Sequence, residues 1–427
     1  MTAAPRPLSL ALYAGATRLL EPMAGALLRR RAGQGKEDPA RLPERLGRAG
    51  LPRPAGPLAW LHGVSVGESI SLLPLAAALL DRRPGLNLLV TSGTRTSAQL
   101  LAERLPRGVI HQYAPVDGPA ATAAFLDHWR PDAGIFVESE LWPNLILGAR
   151  ARGVRLALVS ARMTQGSARR WARRPAAAQA LLAAFDLILP QEAATEARLQ
   201  GLGAATGPRL NLKLVGEPLP CPPLELERMR AGAGPRKVVV AASTHPGEEA
   251  LIANAFREAT RDGPPALLVI APRHPARGEA VAASLATIGL HASRRSQGGW
   301  PEPAHDVYVA DTLGELGLFF RMAEVVVMGG SFAAGIGGHN PLEPARLGRA
   351  IVSGPGVFNA QEVYDEMFAE VAALEAADGA ALARHLRGLL AHPQTARRIG
   401  EAALTYAERQ GAAFDRALAL LEPLLPA

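Results

Sequence analysis

The sequence is poor in cysteine and in aromatic residues. Cys221 is the single cysteine among 427 residues, so an intramolecular disulfide is impossible and a disulfide-stapled secreted scaffold is excluded. A reducing compartment, by default the cytoplasm, is therefore favoured. Phe, Trp and Tyr together make up 5% of the chain, which leaves few rings for stacking on nucleic-acid bases. We therefore expect no nucleic-acid partner.

Several motifs that would assign a metal or a nucleoside triphosphate are also missing from the sequence. It contains no Gly-x-x-x-x-Gly-Lys-Ser/Thr segment, which disfavours a P-loop ATPase or kinase. It contains no Asp-x-Asp pair and no cysteine and histidine spacing typical of zinc ligands. We expect neither a bound metal nor a cofactor.

Positive charge is concentrated at the amino terminus. The chain has 46 Lys and Arg against 39 Asp and Glu, for a net charge of +7. Residues 1–50 hold nine basic and four acidic side chains and thus contribute +5, leaving +2 for the rest. This distribution argues against a nucleic-acid-binding surface over the body of the protein and indicates one basic terminus.

The segment 8–28 is strongly apolar and is followed by Arg29, Arg30 and Arg31. A clean membrane-spanning helix needs about 20 consecutive apolar residues, and Arg18 and Glu21 interrupt the run at a helical spacing that lets them pair. We therefore predict an interfacial helix with its apolar face in the membrane and its arginines on anionic headgroups. The alternative is a core-packing helix followed by a solvated charged segment.

The remainder of the chain alternates short apolar runs with segments of helical period. This alternation predicts parallel sheets covered by helices on both faces. A stretch rich in glycine and proline, 201–235, interrupts the pattern and suggests a domain boundary. We divide the chain into a membrane-associating segment at 1–50, a first doubly wound domain at 51–210, a linker at 211–235, and a second doubly wound domain at 236–427. The predicted strands are 58–62, 86–91, 108–113, 133–138, 155–160, 185–189, 237–242, 266–271, 306–310, 324–328 and 350–353.

Two carboxylate motifs follow predicted strands of the first domain. Ser65-Val66-Gly67-Glu68 makes a tight strand-to-helix turn, in which Glu68 can act as a general base or simply complement the helix dipole. Glu138-Ser139-Glu140-Leu141-Trp142-Pro143-Asn144 places two carboxylates after another strand. Ligands of open α/β sheets bind beyond the carboxyl ends of the strands, so we expect a site there, in a cleft between the two domains.

The second domain carries glycine, hydroxyl and cationic residues at the corresponding positions. Residues 243–249 include two hydroxyls and open a helix, an arrangement that binds phosphate. Pro272-Arg273 adds a cation after the next strand, and residues 337–345 form a glycine-rich loop that opens a helix through Pro341. In that helix Glu343 can accept hydrogen bonds from ribose hydroxyls. These features are typical of a nucleotide-sugar site.

Taken together, the segments closely resemble the Kdo transferases, which are inverting GT-B glycosyltransferases that move 3-deoxy-D-manno-octulosonic acid (Kdo) from CMP-Kdo to the lipid A precursor, lipid IVA. The resemblance implies two Rossmann-like domains facing across a cleft, at the cytoplasmic face of the inner membrane. The implied partners are CMP-Kdo, the lipid A precursor and anionic lipids, and metal-independent catalysis is expected. The similar stretches are 44–47, 65–68, 91–98, 113–117, 138–144, 160–162, 211–213, 243–249, 272–275, 311–316, 329–331 and 339–345.

By this resemblance, Glu68 is the base that deprotonates the acceptor, and Glu138 and Lys213 assist the transition state. The implied CMP site consists of Pro272, Arg273, Gly314, Glu315, Leu316, Asn340, Pro341, Leu342 and Glu343. The chain departs from the family at 160–167, where a second arginine is missing, and at Leu214-Val215, where an aromatic-Asp pair is usual. These changes concern acceptor contacts.

Two alternatives stay open at this point. One is a GT-B transferase or epimerase that uses a UDP-sugar, which the 138–144 motif disfavours. The other is a peripheral lipid-binding or scaffolding protein with a degenerate site. Nucleotide binding separates them, because CMP, UDP or neither will protect the protein against thermal unfolding.

Overall fold

The computed structural model describes residues 7–139 and 141–426. Glu140, the second carboxylate of the 138–144 motif, lies outside the described residues. The chain forms two compact units, one of Met1–Gly216 with Gln410–Ala427 and the other of Glu217–Arg409. Each unit is an α/β domain with one parallel sheet.

The first unit contains a six-stranded parallel sheet in the order β3-β2-β1-β4-β5-β6. Its central strand illustrates why the sheet is covered on both faces. Leu58 and Trp60 point into one apolar core, while Ala59 and Leu61 point into the other, as the alternation of side chains along a strand requires. The strands are β1 (Leu58–His62), β2 (Asn87–Ser92), β3 (Ile110–Tyr113), β4 (Ala133–Val137), β5 (Arg155–Ala161) and β6 (Leu187–Pro190).

Helices follow each of these strands, and most begin with a residue suited to a helix start. Thr94 accepts a hydrogen bond from the amide of Ser97, and Pro119 and Pro143 occupy the first position of their helices, where a missing N–H costs nothing. The helices are α1 (Leu8–Gly33), α2 (Leu42–Arg45), α3 (Val66–Arg82), α4 (Arg95–Arg104), α5 (Pro119–Trp129), α6 (Pro143–Ala151), α7 (Gln165–Ala172), α8 (Pro175–Leu182) and α9 (Ala193–Gly201), with 3₁₀ turns at Pro39–Arg41 and Leu212–Leu214.

The second unit contains a seven-stranded parallel sheet in the order β13-β12-β11-β7-β8-β10-β9. Its strands are β7 (Lys237–Thr244), β8 (Ala266–Pro272), β9 (Ala292–Arg294), β10 (Val307–Val309), β11 (Val325–Met328), β12 (Ala350–Ser353) and β13 (Leu374–Glu375). Its helices are α10 (Pro223–Ala233), α11 (Glu248–Thr260), α12 (Gly278–Thr287), α13 (Leu316–Met322), α14 (Leu342–Ala345), α15 (Gln361–Ala369), α16 (Gly379–Ala391) and the first part of α17 (Pro393–Leu421). Short 3₁₀ turns lie at Pro275–Arg277 and Arg295–Gln297. The end of α17, from Gln410, and the 3₁₀ turn Glu422–Leu424 belong to the first unit.

Every strand that the sequence predicts is present, and no strand end is shifted by more than two residues. Two strands were not predicted, β9 and β13, because each has only two or three residues and neither is fully buried. Such short segments carry too little apolar periodicity to be recognised.

The carboxyl terminus differs from the predicted division of the chain. Residues 410–427 were assigned to the second domain, but in the structure they belong to the first unit. Leu418 and Leu421 are buried in the same apolar core as Leu75, and Arg83 forms an ion pair of 2.6 Å with Glu422. The helical pattern of this segment shows that it has an apolar face but not which surface that face covers.

Helix α1 is bound to the first unit through polar side chains on one of its faces. The hydroxyl of Tyr13 donates to Asp117 Oδ2 (2.9 Å), and Asn144 Nδ2 donates to Thr17 Oγ1 (2.9 Å). Glu21 accepts hydrogen bonds from two amides at the start of α5, so it caps that helix and does not pair with Arg18 as its spacing suggested. Within the described residues, no helix is long and apolar enough to cross a membrane.

Candidate functional site

The candidate site residues of the first unit lie at the carboxyl ends of β1 and β4, which are neighbours in the sheet. Glu138 and Ser160, directly after β4 and within the end of β5, have positive φ angles of 57° and 53°. Side chains other than glycine rarely adopt this conformation, and such backbone strain clusters at functional sites. The sequence predicted a site at this edge of the sheet, and two residues with strained backbone lie at the same edge.

Glu68 is buried and forms part of the cap of α3. Its Oε2 accepts a hydrogen bond from the amide of Val64 (2.6 Å), and its Oε1 accepts one from the hydroxyl of Ser65 (2.7 Å). The amide of Glu68 in turn donates to Ser65 Oγ at 3.3 Å. This is a variant of the capping box in which the glutamate accepts from the amide of the residue before the N-cap. The two hydrogen bonds hold the carboxylate in one orientation, which suits a capping residue and a general base equally.

Glu138 and Lys213 form an ion pair. Lys213 Nζ lies 2.7 Å from Glu138 Oε1; the glutamate side chain is 9% exposed and the lysine side chain 41%. The carboxylate oxygen in this contact is buried, and the ammonium lies at a charge-assisted hydrogen-bond distance from it. Burying a carboxylate costs free energy unless a cation compensates it, and Lys213 supplies that compensation here.

The structure brings Lys213 to this edge through a short 3₁₀ turn. Leu212 and Leu214 are buried on either side of it, so the lysine between them faces outward. The amide of Leu212 donates to Ser160 Oγ (3.3 Å), and Asn211 accepts from the amide of Lys213 (3.1 Å). A segment that the sequence assigned to the linker therefore supplies the cation of the first unit's site.

The turn packs on helix α3, whose first turn contains Glu68. Gly63, between β1 and α3, allows the close approach of Glu68 to the end of β4, because a Cβ at this position would lie 3.0 Å from Glu68 Cβ and 3.0 Å from a methyl group of Val137. The structure thus gathers the three predicted catalytic residues at one edge of one sheet. Thr94, in the 91–98 stretch that resembles the Kdo transferases, caps α4.

The candidate residues of the second unit follow four adjacent strands, β11, β7, β8 and β10. Ser243, near the end of β7, has a positive φ of 58°, as Glu138 has in the first unit. Pro272 ends β8, and Arg273 directly after it is exposed. The predicted nucleotide-binding motifs therefore share the carboxyl edge of this sheet, where open α/β sheets bind their ligands.

Glu248 organises the glycine loop after β11. It is 2% exposed, and its carboxylate accepts hydrogen bonds from the amides of His245 (2.8 Å), Gly330 (2.7 Å) and Phe332 (2.9 Å). Gly330 has a φ of 70°, and a Cβ there would lie 3.0 Å from the ring of His339. The buried carboxylate thus holds the 329–332 loop against the start of α11.

Two histidines at this edge form a pair that the sequence analysis missed. The Nε2 atoms of His245 and His339 lie 2.9 Å apart, with ring planes only 9° from parallel. One nitrogen must donate and the other accept, so this contact requires that at least one imidazole be neutral. Burial, with the nearby charges of His245 and Arg273, lowers the pKa of His339 from 6.5 to about 4. The only sequence signal was that each histidine lies in a loop beyond a strand's carboxyl end.

Arg273 and Glu343 are brought into electrostatic range of each other. Burial raises the pKa of the Glu343 carboxyl, while Arg346 and Arg273 act in the opposite direction. Arg273 also contributes to the lowered pKa of both His245 and His339. One exposed arginine thus supplies positive charge to the centre of the predicted CMP site.

The other predicted nucleotide-binding residues have structural partners of their own. Glu315 forms an ion pair with Arg295 (2.7 Å) and accepts a hydrogen bond from Thr312. Burial raises the pKa of Glu315, but the hydrogen bonds from Arg295 and Thr312 outweigh it, so the pKa is below its usual value. Gly314 precedes it with a φ of 81°, and Leu316 begins α13.

The loop that precedes Glu343 opens only one helical turn. Asn340 Oδ1 accepts a hydrogen bond from the amide of Leu342 at 3.1 Å, and Pro341 lies between them as the residue before α14. The expected helix start is therefore present, but α14 has only four residues. Among residues 7–139 and 141–426, no group of three or more His, Cys, Asp or Glu side chains is arranged to hold a metal ion.

Comparisons with known proteins identify relatives of this chain. Residues 40–216 match the family model described as 3-deoxy-D-manno-octulosonic-acid transferase (kdotransferase). The 3-deoxy-D-manno-octulosonic acid transferase of Bordetella pertussis is 37% identical over 430 residues, covering 97% of this chain and 99% of the relative. The enzyme of the same name from Rickettsia bellii is 33% identical, covering 92% and 94%.

Solved structures support the fold. A glycosyltransferase from Rickettsia africae aligns with a TM-score of 0.57 at 11% identity, covering 87% of this chain and 99% of that one. UDP-GlcNAc 2-epimerase from Neisseria meningitidis aligns with a TM-score of 0.55 at 11% identity, covering 85% and 100%. These likenesses show the fold alone, and they confirm the predicted GT-B class with its two doubly wound domains. The sequence relatives go further and show that this chain belongs to the 3-deoxy-D-manno-octulosonic acid transferase family of glycosyltransferases.

Proposed function

We propose that the protein transfers Kdo from CMP-Kdo to the lipid A precursor, lipid IVA, by a single inverting displacement. The observation that carries this proposal is the grouping of Glu68 with the Lys213–Glu138 ion pair at the carboxyl edge of the first sheet, in a chain of the Kdo transferase family. A carboxylate and a lysine at one edge are what a sugar-transfer reaction from an anionic donor requires.

In this reaction Glu68 removes the proton from the attacking hydroxyl of the acceptor. The hydroxyl oxygen forms a bond to the anomeric carbon of Kdo, while the bond from that carbon to the phosphate oxygen breaks and CMP leaves with the electron pair. Lys213 stabilises negative charge on the phosphate or on the Kdo carboxylate in the transition state. Glu138 keeps the lysine ammonium in position through their 2.7 Å contact.

The donor's cytidine and phosphate bind at the second unit in this proposal. The exposed Arg273 faces the phosphate, and Asn340 and Glu343 face the ribose hydroxyls. The remaining contacts come from Pro272, Gly314, Glu315, Leu316, Pro341 and Leu342. Since arginine and lysine neutralise the departing phosphate, the reaction proceeds without a divalent metal ion.

The acceptor is reached at the cytoplasmic face of the inner membrane, which α1 binds. This helix is docked through the face with Tyr13, Thr17 and Glu21. At 3.6 residues per turn, the exposed side chains of Leu8, Leu12, Leu19 and Met23 fall on the opposite face, and those of Leu20 and Leu27 fall on its flank. Basic residues near the end of the helix suit anionic lipids.

The direct test combines the purified protein with CMP-Kdo and tetra-acylated lipid A precursor in mixed micelles. Mass spectrometry of the lipid should show the addition of Kdo and will count the residues added. The reaction should persist with excess EDTA, and CMP should protect the protein against thermal unfolding where UDP does not. Transfer from a UDP-sugar with no reaction of CMP-Kdo would refute the donor assignment.

A further inference from the structure

A groove in the first unit lies outside the edge where the reaction is proposed. Its volume is about 850 Å³, within the range of pockets that bind small molecules or lipid chains. It is bordered by α1, α6 and α8, together with the beginning of α5. Residues that line it include Leu10 and Ala14 of α1, Leu147 of α6, and Ala176, Ala180 and Ala183 in and beside α8.

The groove exists because the facing helices carry small side chains. Protein interiors are normally packed without voids of this size, yet the short side chains of the α8 alanines leave the space along α1 unfilled. Hydrogen bonds from Tyr13 and to Thr17 hold α1 in place. The walls are mostly apolar, so they suit an apolar chain better than a free sugar.

The rim of the groove is basic. Arg150 pairs with Asp186 (2.9 Å), and Arg152 pairs with Asp127 (2.8 Å). Arg18 is exposed on α1 and, among the residues that the structure describes, forms no ion pair with a carboxylate. An amphiphile with an anionic head beside its apolar chain would match these walls and this cation.

One end of the groove lies near the carboxyl edge of the first sheet, where the reaction is proposed. Asn144, which lines one end, is the second residue of α6 and follows the strand that ends before Glu138. Arg152, which lines the other end, directly follows the last residue of α6. The groove thus extends along α6 from the carboxyl edge of the sheet, where an acceptor hydroxyl would react, towards the opposite edge.

We propose that this groove binds one acyl chain of the lipid acceptor, with Arg18 contacting the acceptor's anionic headgroup. The inference rests on the proposed function, because it takes the acceptor to be an acylated, negatively charged saccharide lipid. The groove then selects the acceptor by its chain and keeps that chain away from the reacting sugar.

The test fills the groove and compares two acceptors. Ala180→Trp places a ring between α8 and α1, and Ala183→Phe does the same at the exposed rim, where misfolding is less of a risk. Ala172→Trp, on exposed α7 outside the groove, is the matched control. Each variant is assayed with the tetra-acylated precursor and with the same saccharide after complete deacylation.

Both groove variants should raise KM for the acylated acceptor about tenfold or more, since losing the burial of two methylene groups already has that effect. They should leave kcat/KM for the deacylated acceptor within about twofold of wild type. Arg18→Gln should weaken both acceptors, because deacylation leaves the anionic headgroup in place, and it should not change donor binding. Equal effects of the two groove variants on both acceptors, or none beyond those of Ala172→Trp, would overturn the proposal.

A binding measurement separates this proposal from the reaction itself. A precursor carrying a photoreactive group at one acyl terminus should crosslink to α6 or α8 of the wild-type protein and not to Ala180→Trp. Crosslinking there without any Kdo transfer would reject the proposed function and retain the groove. Transfer with crosslinks confined to other helices would retain the function and reject the groove.

Discussion

Replacing Glu68 distinguishes its two possible roles, as helix cap and as general base. Glu68→Gln keeps the shape of the side chain and both hydrogen-bonding positions, because the amide oxygen can accept from Val64 and the amide nitrogen can donate to Ser65 Oγ. Ser65→Ala is the matched control, since it removes the cap and leaves the carboxylate. The two variants therefore perturb the same turn, but only one removes the base.

The expected magnitudes differ between stability and catalysis. Loss of a helix cap costs about 0.5–2 kcal/mol, and a hydrogen bond to a charged group exceeds a neutral one by roughly 1 kcal/mol. Both variants should therefore lower the free energy of unfolding by about 1 kcal/mol. Removing a general base slows the chemical step by about 10²–10⁴-fold. Glu68→Gln should show that loss, whereas Ser65→Ala should keep most of the rate.

The measurement is single-turnover transfer at saturating CMP-Kdo, together with thermal unfolding of each variant. Equal loss of rate in Ser65→Ala and Glu68→Gln would show that Glu68 acts through the cap. A fully active Glu68→Gln would remove it as the base altogether. CMP-Kdo binding should be unchanged in both, because the donor residues lie on the second unit's sheet in the proposed site.

Three further outcomes follow from the same structure. Lys213→Met should slow the single-turnover rate while donor affinity stays within about threefold; an unchanged rate would dismiss its role in the transition state. Glu248→Ala leaves three backbone amides without their acceptor, and each unpaired amide can cost roughly 1–3 kcal/mol. Its melting temperature should therefore fall far more than that of the control Glu258→Ala, which removes an exposed ion pair with Arg387 worth about 0–1 kcal/mol. His339 binds a proton near pH 6.5 when unfolded but only near pH 4 when folded, so its contribution to stability is complete above about pH 6.5 and is lost as the pH falls to about 4. His339→Gln should therefore show a smaller difference in melting temperature between pH 7 and pH 5 than wild type, and an identical difference would contradict the lowered pKa.

The strands and motif positions were predictable because they depend on local patterns. Fully buried parallel strands appear as short continuous apolar runs, such as β1 and β7, and their order along the chain predicts two doubly wound sheets. Residues directly after these strands share an edge by topology alone. The resemblance to the Kdo transferases then attached chemistry to particular residues of that edge.

Contacts between distant segments were not predictable. The spacing of Arg18 and Glu21 suggested a local pair, yet Glu21 caps α5 about a hundred residues away. The same limit applies to the His245–His339 pair, which joins residues 94 positions apart. A sequence pattern records what a side chain can do at its own position, but not which distant groups come within 3 Å of it.

The sequence by itself determined the fold class, the family and the strand ends at which the site residues lie, because apolar periodicity and short motifs are local properties of the chain. Only the tertiary structure decided that Glu68 is buried with its carboxylate hydrogen-bonded at the start of α3, that Lys213 pairs with Glu138, and that residues 410–427 complete the first unit. It also decided that a groove remains open beside α1. These features depend on how separate elements pack, and packing is set by shape and burial across the whole unit.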